Sequence, residues 1–381
     1  MISVQEASLF FKQHLQLKAA LLSKPIEADR DYPPYDRVMM DGIAVSFEAF
    51  LKGKRSFMIQ GVQAAGEVAK TLLDTDHCFE VMTGALLPLQ TDLVIPYEHL
   101  EISQGLAKII KMVDRSQFEN VHLQGSDCKA REVILREGAR LNGPHQGIAA
   151  SMGESFTLST PSKILVVSTG DELVDVHETP GAHQIRRSNS YALKSSLEIN
   201  GHTQVTLHHL NDDAKSIAEH YQKYSPDFDV MIYSGGVSKG KFDYLPNVWS
   251  DMGVQKHFHE VSQRPGKPLW FGTDEKTRTA VIGLPGNPVS GLVCLHRYLI
   301  PGKKMFAKLA EEVVFKKELT YFLPAKIEFH PDGTLWARPL KIKNSGEFTA
   351  LAESDGFIEL PAESSVFGVG EAFAFWPWRN L

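Results

Sequence analysis

The chain is poor in the features that mark secreted, membrane-spanning and disulfide-rich proteins. Only three of its 381 residues are cysteine, and they form no CxxC pair, so neither a zinc site nor a disulfide framework is expected. No apolar run is long enough to span a bilayer, and the N-terminus lacks the basic and then apolar order of a signal peptide. We therefore expect a cytoplasmic protein that is not bound to a membrane.

An excess of positive charge is also missing. The formal net charge is −6, which disfavours nonspecific binding to nucleic acid, so no nucleic-acid partner is expected. There are no internal repeats and no low-complexity tract. The composition is that of an ordinary globular protein, and the length allows two to four domains, each with a core of its own.

The most informative segment is Gly283-Leu284-Pro285-Gly286-Asn287-Pro288. An apolar run, Thr279–Ile282, leads into it, and a stretch with helical spacing, Val289–Leu299, follows it. The prolines fix φ and the glycines let another group approach the backbone closely. The pattern predicts a strand, a rigid turn and a helix, either as an anion-binding turn or as a plain connection.

Three other segments have a similar form, and a helix that ends at Gly201 is predicted between the first two of them. Strands that alternate with helices favour a parallel sheet, whose ligands bind at the carboxyl ends of the strands. The runs and their loops are 163–168 followed by 169–172, 229–233 followed by 234–238, and 269–271 preceded by Arg264-Pro265-Gly266-Lys267-Pro268.

The rest of the chain changes character around this α/β region. Val4, Ala7, Phe11 and Leu15 fall on one face of a predicted amphipathic helix over residues 1 to about 24. The predicted fold is multidomain, α/β plus β. Its parts are helical segments within 1–32 and 126–160, a small β domain (33–125), a central α/β domain (161–307) and a C-terminal β domain (308–381).

Nine segments, in order along nearly the whole chain, resemble the MoeA family of molybdopterin molybdenumtransferases and the corresponding domain of gephyrin. They are PPYDRVMMDGIAV (33–45), AAGE (64–67), MTGALLPLQTDLVIPYE (82–98), GSD (125–127), STGDELV (168–174), QIRRSNSYAL (184–193), SGGVSKGKFDY (234–244), RPGKP (264–268) and GLPGNPVS (283–290).

The resemblance implies an elongated homodimer with a MogA-like central domain and a C-terminal β barrel, and it implies that residues 1–32 and 126–160 form one discontinuous helical linking domain. It implies a transferase that inserts molybdate into the dithiolene of adenylylated molybdopterin, with Mg²⁺-dependent release of AMP. A MogA-type adenylyltransferase and molybdoenzyme acceptors are the further partners that it implies.

The resemblance also assigns residues to the site. Carboxylates suit Mg²⁺, and the metal ligands are predicted to be Asp229 and Asp243, with Asp171 as a substrate contact or only a helix cap. Asp41 and Thr83 are expected to complete the site across the dimer interface. The predicted catalytic residues are Asp41, Thr83, Glu172, Asp229, Asp243 and Lys267.

Molybdate is a tetrahedral dianion, and Lys267 and Arg264 are suitable partners for it, although a lysine is often only a solvated surface charge. The glycine loops and the residues around them are expected to hold the substrate. The predicted substrate-binding residues are Gly170, Asp171, Ser188, Asn189, Gly235, Gly236, Ser238, Arg264, Pro285, Gly286, Asn287 and Pro288.

Three departures from the family pattern and two rival functions remain. Arg37-Val38-Met39, Lys241 and Glu260 replace residues of different charge or size, which leaves open a paralogue with altered oxyanion or substrate handling. Gly235–Lys241 fits the start of a P-loop, but Phe242 stands where a P-loop has Ser or Thr, which argues against a kinase. A noncatalytic molybdopterin carrier or a gephyrin-like scaffold is the other alternative.

Overall fold

A computed structural model describes residues 1–111, 113–154, 157–238, 240, 243–340 and 346–379. The chain divides into two compact units, one formed by residues 1–21 and 159–381, and the other by residues 22–158. Within the described ranges, none of the helices is long and apolar enough to cross a bilayer.

The larger unit contains a six-stranded sheet in the order β2-β1-β3-β6-β5-β4. Strands β2, β1, β3 and β6 are parallel, which confirms the α/β prediction, whereas β5 and β4 run antiparallel to their neighbours. The strands are β1 (Ile164–Thr169), β2 (Val205–Leu210), β3 (Val230–Ser234), β4 (Gln255–His259), β5 (Trp270–Asp274) and β6 (Thr279–Leu284).

Helices cover both faces of this sheet because its central strands are apolar on both sides. Every residue of β1, β3 and β6 is buried, the pattern of a strand between two helical layers. The helices of this unit are α1 (Val4–His14), α2 (Asn189–Ile199), α3 (Ala214–Tyr224), α4 (Leu245–Asp251) and α5 (Pro288–Cys294), with a π-helical turn over Leu295–Leu299 and a 3₁₀ turn over Ser225–Asp227.

The N-terminal helix α1 is shorter than predicted but has the predicted apolar face. Ser3 caps it through a capping box with Glu6, and the helix ends at His14 because Leu15 adopts an extended conformation. Val4, Ala7 and Phe11 are buried in the core of the central sheet, and the Phe11 ring stacks on Phe271 of β5 at 4.4 Å between centroids.

The C-terminal strands close into a five-stranded β barrel, as the resemblance implied. The long strand Thr320–Phe329 pairs with both Leu335–Pro339 and Gly356–Leu360, which closes the ring. The two-residue strand Gln263–Arg264 of the central domain pairs in parallel with the same long strand. The other ring strands are Met305–Leu309 and Ala372–Pro377, and outside the ring lie the pair Val313–Val314 with Val366–Phe367 and the 3₁₀ turn Phe348–Ala352.

The smaller unit is mainly β structure, with a core of its own. The strands of its six-stranded sheet, in spatial order, are Leu93–Pro96, Gly42–Val45, His77–Val81, Ser56–Gln63, Leu106–Ile109 and Leu100–Ser103. Its remaining elements are the strand pairs Ile26–Glu27 with Val133–Leu135 and Arg37–Val38 with Val121–His122, the helices Phe47–Leu51 and Gly143–Ser151, and the 3₁₀ turn Tyr97–His99.

Candidate functional site

A cavity of about 1160 Å³ lies at one edge of the central sheet. Strands β1, β3 and β6 end at this edge and the antiparallel β5 begins there, while Leu319 and Phe348 extend the wall beyond the sheet. Fourteen of the residues predicted from the sequence line it, namely Gly170, Glu172, Ser188, Asn189, Gly235, Gly236, Ser238, Asp243, Arg264, Lys267, Pro285, Gly286, Asn287 and Pro288.

The glycines after β1 and β3 allow two loops to approach each other closely. Gly235 and Gly236 have φ values of 103° and 64°, in the left-handed region that favours glycine. A Cβ on Gly235 would lie 3.0 Å from the carbonyl oxygen of Thr169. Thr169 is one of the residues that line the cavity, and its hydroxyl is buried between the loops without a hydrogen-bond partner among the described residues. Glycine at these positions therefore lets the two loops pack against each other without a steric clash.

Asn189 joins the helix α2 to the two glycine-containing loops. Its side-chain amide donates to the Ser234 hydroxyl at 3.1 Å and to the Gly286 carbonyl at 2.6 Å. Ser234 is the last residue of β3, and Gly286 follows β6. One side chain thus fixes the spacing of three of the elements that form the cavity.

Carboxylates form another part of the cavity wall, and one of them was missed in the sequence. Asp212, two residues after β2, lines the cavity together with Glu172 and Asp243, and its backbone N–H donates to Asp171 at 3.1 Å. Burial raises the pKa of Asp212, and the charges of Asp171, Glu172 and Asp243 raise it further. This wall therefore favours a cation, and Asp171 contributes from just outside the cavity lining.

Asp212 could have been found from its position. It follows the end of β2 by two residues, just as Asp171 follows the end of β1. The pair His208-His209 interrupts the apolar run Val205–Leu210, so this strand did not stand out from composition alone.

The structure does not bring Asp229 to this cavity, which corrects its predicted place beside Asp243. Asp229 precedes β3, so it lies at the amino end of the sheet, and its carboxylate accepts a hydrogen bond from the Lys163 N–H at 2.8 Å. It lines a separate cavity with His14 and Arg278. Five strand residues separate the two edges, about 16 Å at the usual rise, so Asp229 and Asp243 of one chain cannot share an ion.

The cationic wall is the loop 263–268, which a buried glutamine holds in place. The Gln263 side-chain amide donates to the carbonyls of Pro265 and Gly266, both at 3.1 Å, and its oxygen accepts from the Tyr298 hydroxyl. Burial holds the pKa of Tyr298 well above its usual value, so this hydroxyl stays a donor. The loop carries Arg264 and the half-exposed Lys267 into the cavity.

Asp41 and Thr83 belong to the smaller unit, where they bond to each other. One Asp41 oxygen accepts from the Thr83 N–H at 2.6 Å and from the Thr83 hydroxyl at 2.8 Å, and these hydrogen bonds lower the pKa of Asp41. The pair is therefore a preformed, ionised carboxylate on an exposed turn. Its predicted place in the site stays a prediction.

Two predicted features lie outside the described residues, namely the charge of Lys241 and the Phe242 position that argued against a P-loop. Across the described ranges, no group of three or more His, Cys, Asp or Glu side chains is arranged to hold a metal ion.

Comparison with known families covers almost the whole chain. Residues 2–153 match the MoeA N-terminal region (domain I and II), residues 165–304 match the probable molybdopterin binding domain, and residues 307–378 match the MoeA C-terminal region (domain IV). The cavity thus lies mainly in the segment that matches the molybdopterin-binding family.

Known proteins of similar sequence and structure span the same length. A molybdopterin molybdenumtransferase of Synechocystis sp. is 51% identical over 359 residues, which are 94% of this chain and 92% of that protein. One from Staphylococcus epidermidis is 28% identical over 97% of this chain and 94% of its own. The crystal structure of a molybdopterin biosynthesis MoeA protein from Pyrococcus horikoshii superposes with a TM-score of 0.77 at 25% identity and covers 100% of both chains.

Proposed function

Because the chain belongs to the MoeA family of molybdopterin molybdenumtransferases, we propose that it inserts molybdate into the dithiolene of adenylylated molybdopterin and releases AMP. The observation that carries this proposal is the cavity itself. Open glycine loops, a carboxylate wall and a cationic loop face one space of about 1160 Å³. That volume is just above the upper end of the range of about 300–1,000 Å³ that is usual for small-molecule and cofactor sites.

The glycine loops are the proposed site of the phosphates. Backbone N–H groups in turns with positive φ form concave surfaces that bind anions. The Gly235 N–H already donates to the Leu284 carbonyl at 3.1 Å, so the proposed phosphate contact at this turn is the N–H of Gly236, whose φ is 64°. Ser188 and Asn189 border the same space at the start of α2.

Asp212 and Asp243 are the proposed ligands of Mg²⁺, with Glu172 and Asp171 as supporting negative charge. The donor set fits, because Mg²⁺ accepts one or two carboxylates and keeps several waters. Burial, and then the charges of the neighbouring carboxylates, raise the pKa of Asp212, so its ionised form is disfavoured while no cation is bound. When bound, Mg²⁺ would neutralise phosphate charge and so allow the pyrophosphate to enter an acidic wall.

Lys267 and Arg264 are the proposed partners of molybdate. Both lie on the loop that Gln263 anchors, and the Arg264 guanidinium also lies 5.8 Å from the Phe315 ring centroid. A tetrahedral dianion between them would be held by one point charge and one planar donor. Pro265 and Pro268 fix φ on this loop and so limit how far its backbone can carry either cation away.

Asp41 and Thr83 are proposed to act on the site of a partner subunit. A two-fold dimer would then contain two equivalent sites, each built from both chains. We expect this homodimer in the cytoplasm, where the buried free thiols of Cys78, Cys128 and Cys294 stay reduced. A MogA-type adenylyltransferase would supply the substrate and molybdoenzymes would receive the product.

The test is an insertion assay with adenylylated molybdopterin, molybdate and Mg²⁺, in which AMP release and the metal-bound dithiolene are measured separately. We expect both products together, and neither without Mg²⁺. Asp251→Asn, an exposed acid on α4, serves as the matched control for Asp243→Asn. Tight pterin binding without AMP release from the wild-type chain would favour the noncatalytic carrier instead.

A further inference from the structure

Glu260 places a negative charge beside the lysine of the cavity. Its Oε1 lies 4.0 Å from the Nζ of Lys267, and the Lys267 side chain is 52% exposed whereas that of Glu260 is 16% exposed. The carboxylate is therefore the more enclosed partner. Any anion that approaches Lys267 from the cavity also meets the field of this carboxylate.

The backbone fixes this arrangement from both sides. Two backbone hydrogen bonds hold the segments that carry Glu260 and Lys267 together. The Glu260 N–H donates to the Leu269 carbonyl at 3.1 Å, and the Val261 N–H donates to the Lys267 carbonyl at 2.9 Å. Glu260 itself has a φ of 81°, a left-handed backbone conformation that is strained for a residue other than glycine. The side chain thus projects toward Lys267 from a backbone that cannot easily rotate it away.

The neighbouring strand end is tied down as well. The Nε2 of His259 bonds to the Val237 carbonyl at 2.7 Å, so the residue before Glu260 is joined to the loop after β3. On the other side of the chain, the Ile2 N–H donates to the Glu260 carbonyl at 3.2 Å. A local shift of the backbone that moves the Glu260 carboxylate away from an anion at Lys267 would therefore break these hydrogen bonds.

We propose that Glu260 is a specificity-determining residue, whose charge weakens the binding of small dianions at Lys267 more than it weakens the binding of monoanions. The inference rests on the proposed function, in which Lys267 contacts the oxyanion. The repulsion is proportional to the charge of the ligand. At about 7 Å between the Glu260 carboxylate and the anion in a water-like medium, this repulsion lowers the affinity for a dianion roughly 3–10-fold. For a monoanion the affinity falls by roughly the square root of that factor.

The experiment measures the binding of two tetrahedral oxyanions, molybdate and perchlorate, to the full-length chain at low ionic strength by calorimetry. We expect Glu260→Gln to bind molybdate about 3–10-fold more tightly than the wild type does, with a smaller gain in affinity for perchlorate. Glu260→Lys, which reverses the charge, should bind molybdate more tightly still. The gain should shrink as salt is added, because the interaction is screened. Glu198→Gln removes a comparable ion pair with Lys194, at 3.7 Å on α2, and should leave both affinities unchanged.

The outcomes separate this inference from its premise. If Lys267→Ala loses molybdate affinity while Glu260→Gln matches the wild type, the inference is overturned and the proposed role of Lys267 stands. Weaker binding by Glu260→Gln would also overturn it, because the carboxylate would then position Lys267 without opposing the anion. If Lys267→Ala binds molybdate as the wild type does, the oxyanion is not at Lys267 and both ideas fail.

Discussion

Replacement of Gln263 by leucine tests whether one buried amide holds the cationic loop. The Gln263 side chain donates to two loop carbonyls and accepts from the Tyr298 hydroxyl, and its relative exposure is 1%. Leucine is of similar size but can form none of these bonds. The two carbonyls and the hydroxyl would then lose partners that water cannot easily replace.

The magnitude follows from the number of groups left without a partner. Each buried polar group without a hydrogen bond costs about 1–3 kcal/mol, and the added apolar surface returns part of that loss. The Gly266 carbonyl keeps its contact with the Cys294 thiol at 3.8 Å, which reduces its share. We expect Gln263→Leu to lower the free energy of unfolding by about 2–5 kcal/mol.

The assay is urea unfolding followed by far-ultraviolet circular dichroism, with molybdate binding measured on the folded variant. Gln222→Leu is the matched control, because that exposed side chain contacts only a Met252 sulfur at 3.4 Å in the described structure; it should change stability by less than about 0.5 kcal/mol. We also expect Gln263→Leu to bind molybdate more weakly, since Arg264 and Lys267 would lose their fixed loop. A variant as stable as the control, with unchanged molybdate affinity, would refute this account of the loop.

Four further predictions concern the site. Asp243→Asn should fold normally and lose Mg²⁺-dependent AMP release; wild-type turnover would remove Asp243 from the site. Lys267→Ala should weaken molybdate binding more than pterin binding, and equal losses would place the lysine at the pterin phosphates. A mixture of Asp41→Asn and Glu172→Gln chains, each inactive alone, should partly recover activity, and its failure despite proven subunit exchange would argue against a shared site. Because the pKa of Asp212 is raised in the folded state, ionisation of Asp212 above its unfolded pKa destabilises the cation-free protein. Asp212→Asn should therefore unfold at higher urea than the wild type at pH 7, but not at low pH, where both forms are neutral.

The sequence was sufficient to locate most of the cavity because its loops carry local signals. Turns after apolar runs are indicated by Gly235, Gly236 and the segment 283–288. If the runs are parallel strands, these turns lie at the same edge of the sheet. The direction of a run also matters. Asp229 precedes its strand and Asp212 follows one, which places them at opposite edges of the sheet.

Other features depend on long-range pairing and leave little local signal. The loop 264–268 precedes β5, and it reaches the cavity only because β5 runs antiparallel to β6. The ion pair of Glu260 with Lys267 likewise depends on a turn that folds back over seven residues. The pattern of apolar residues does not specify either arrangement, because an antiparallel edge strand and a parallel one can share the same composition.

The pairing of Gln263–Arg264 with the barrel strand Thr320–Phe329 has a consequence for engineered chimeras. The Thr320 N–H also donates to the Ser262 carbonyl at 3.1 Å, so backbone hydrogen bonds join the loop beside the cavity to the barrel. The family matches end at residue 304 and begin again at residue 307. A chimera with its boundary at either residue would replace the barrel strand but keep the original residues 262–264 that pair with it. A barrel grafted from a relative should therefore be transferred together with residues 262–264.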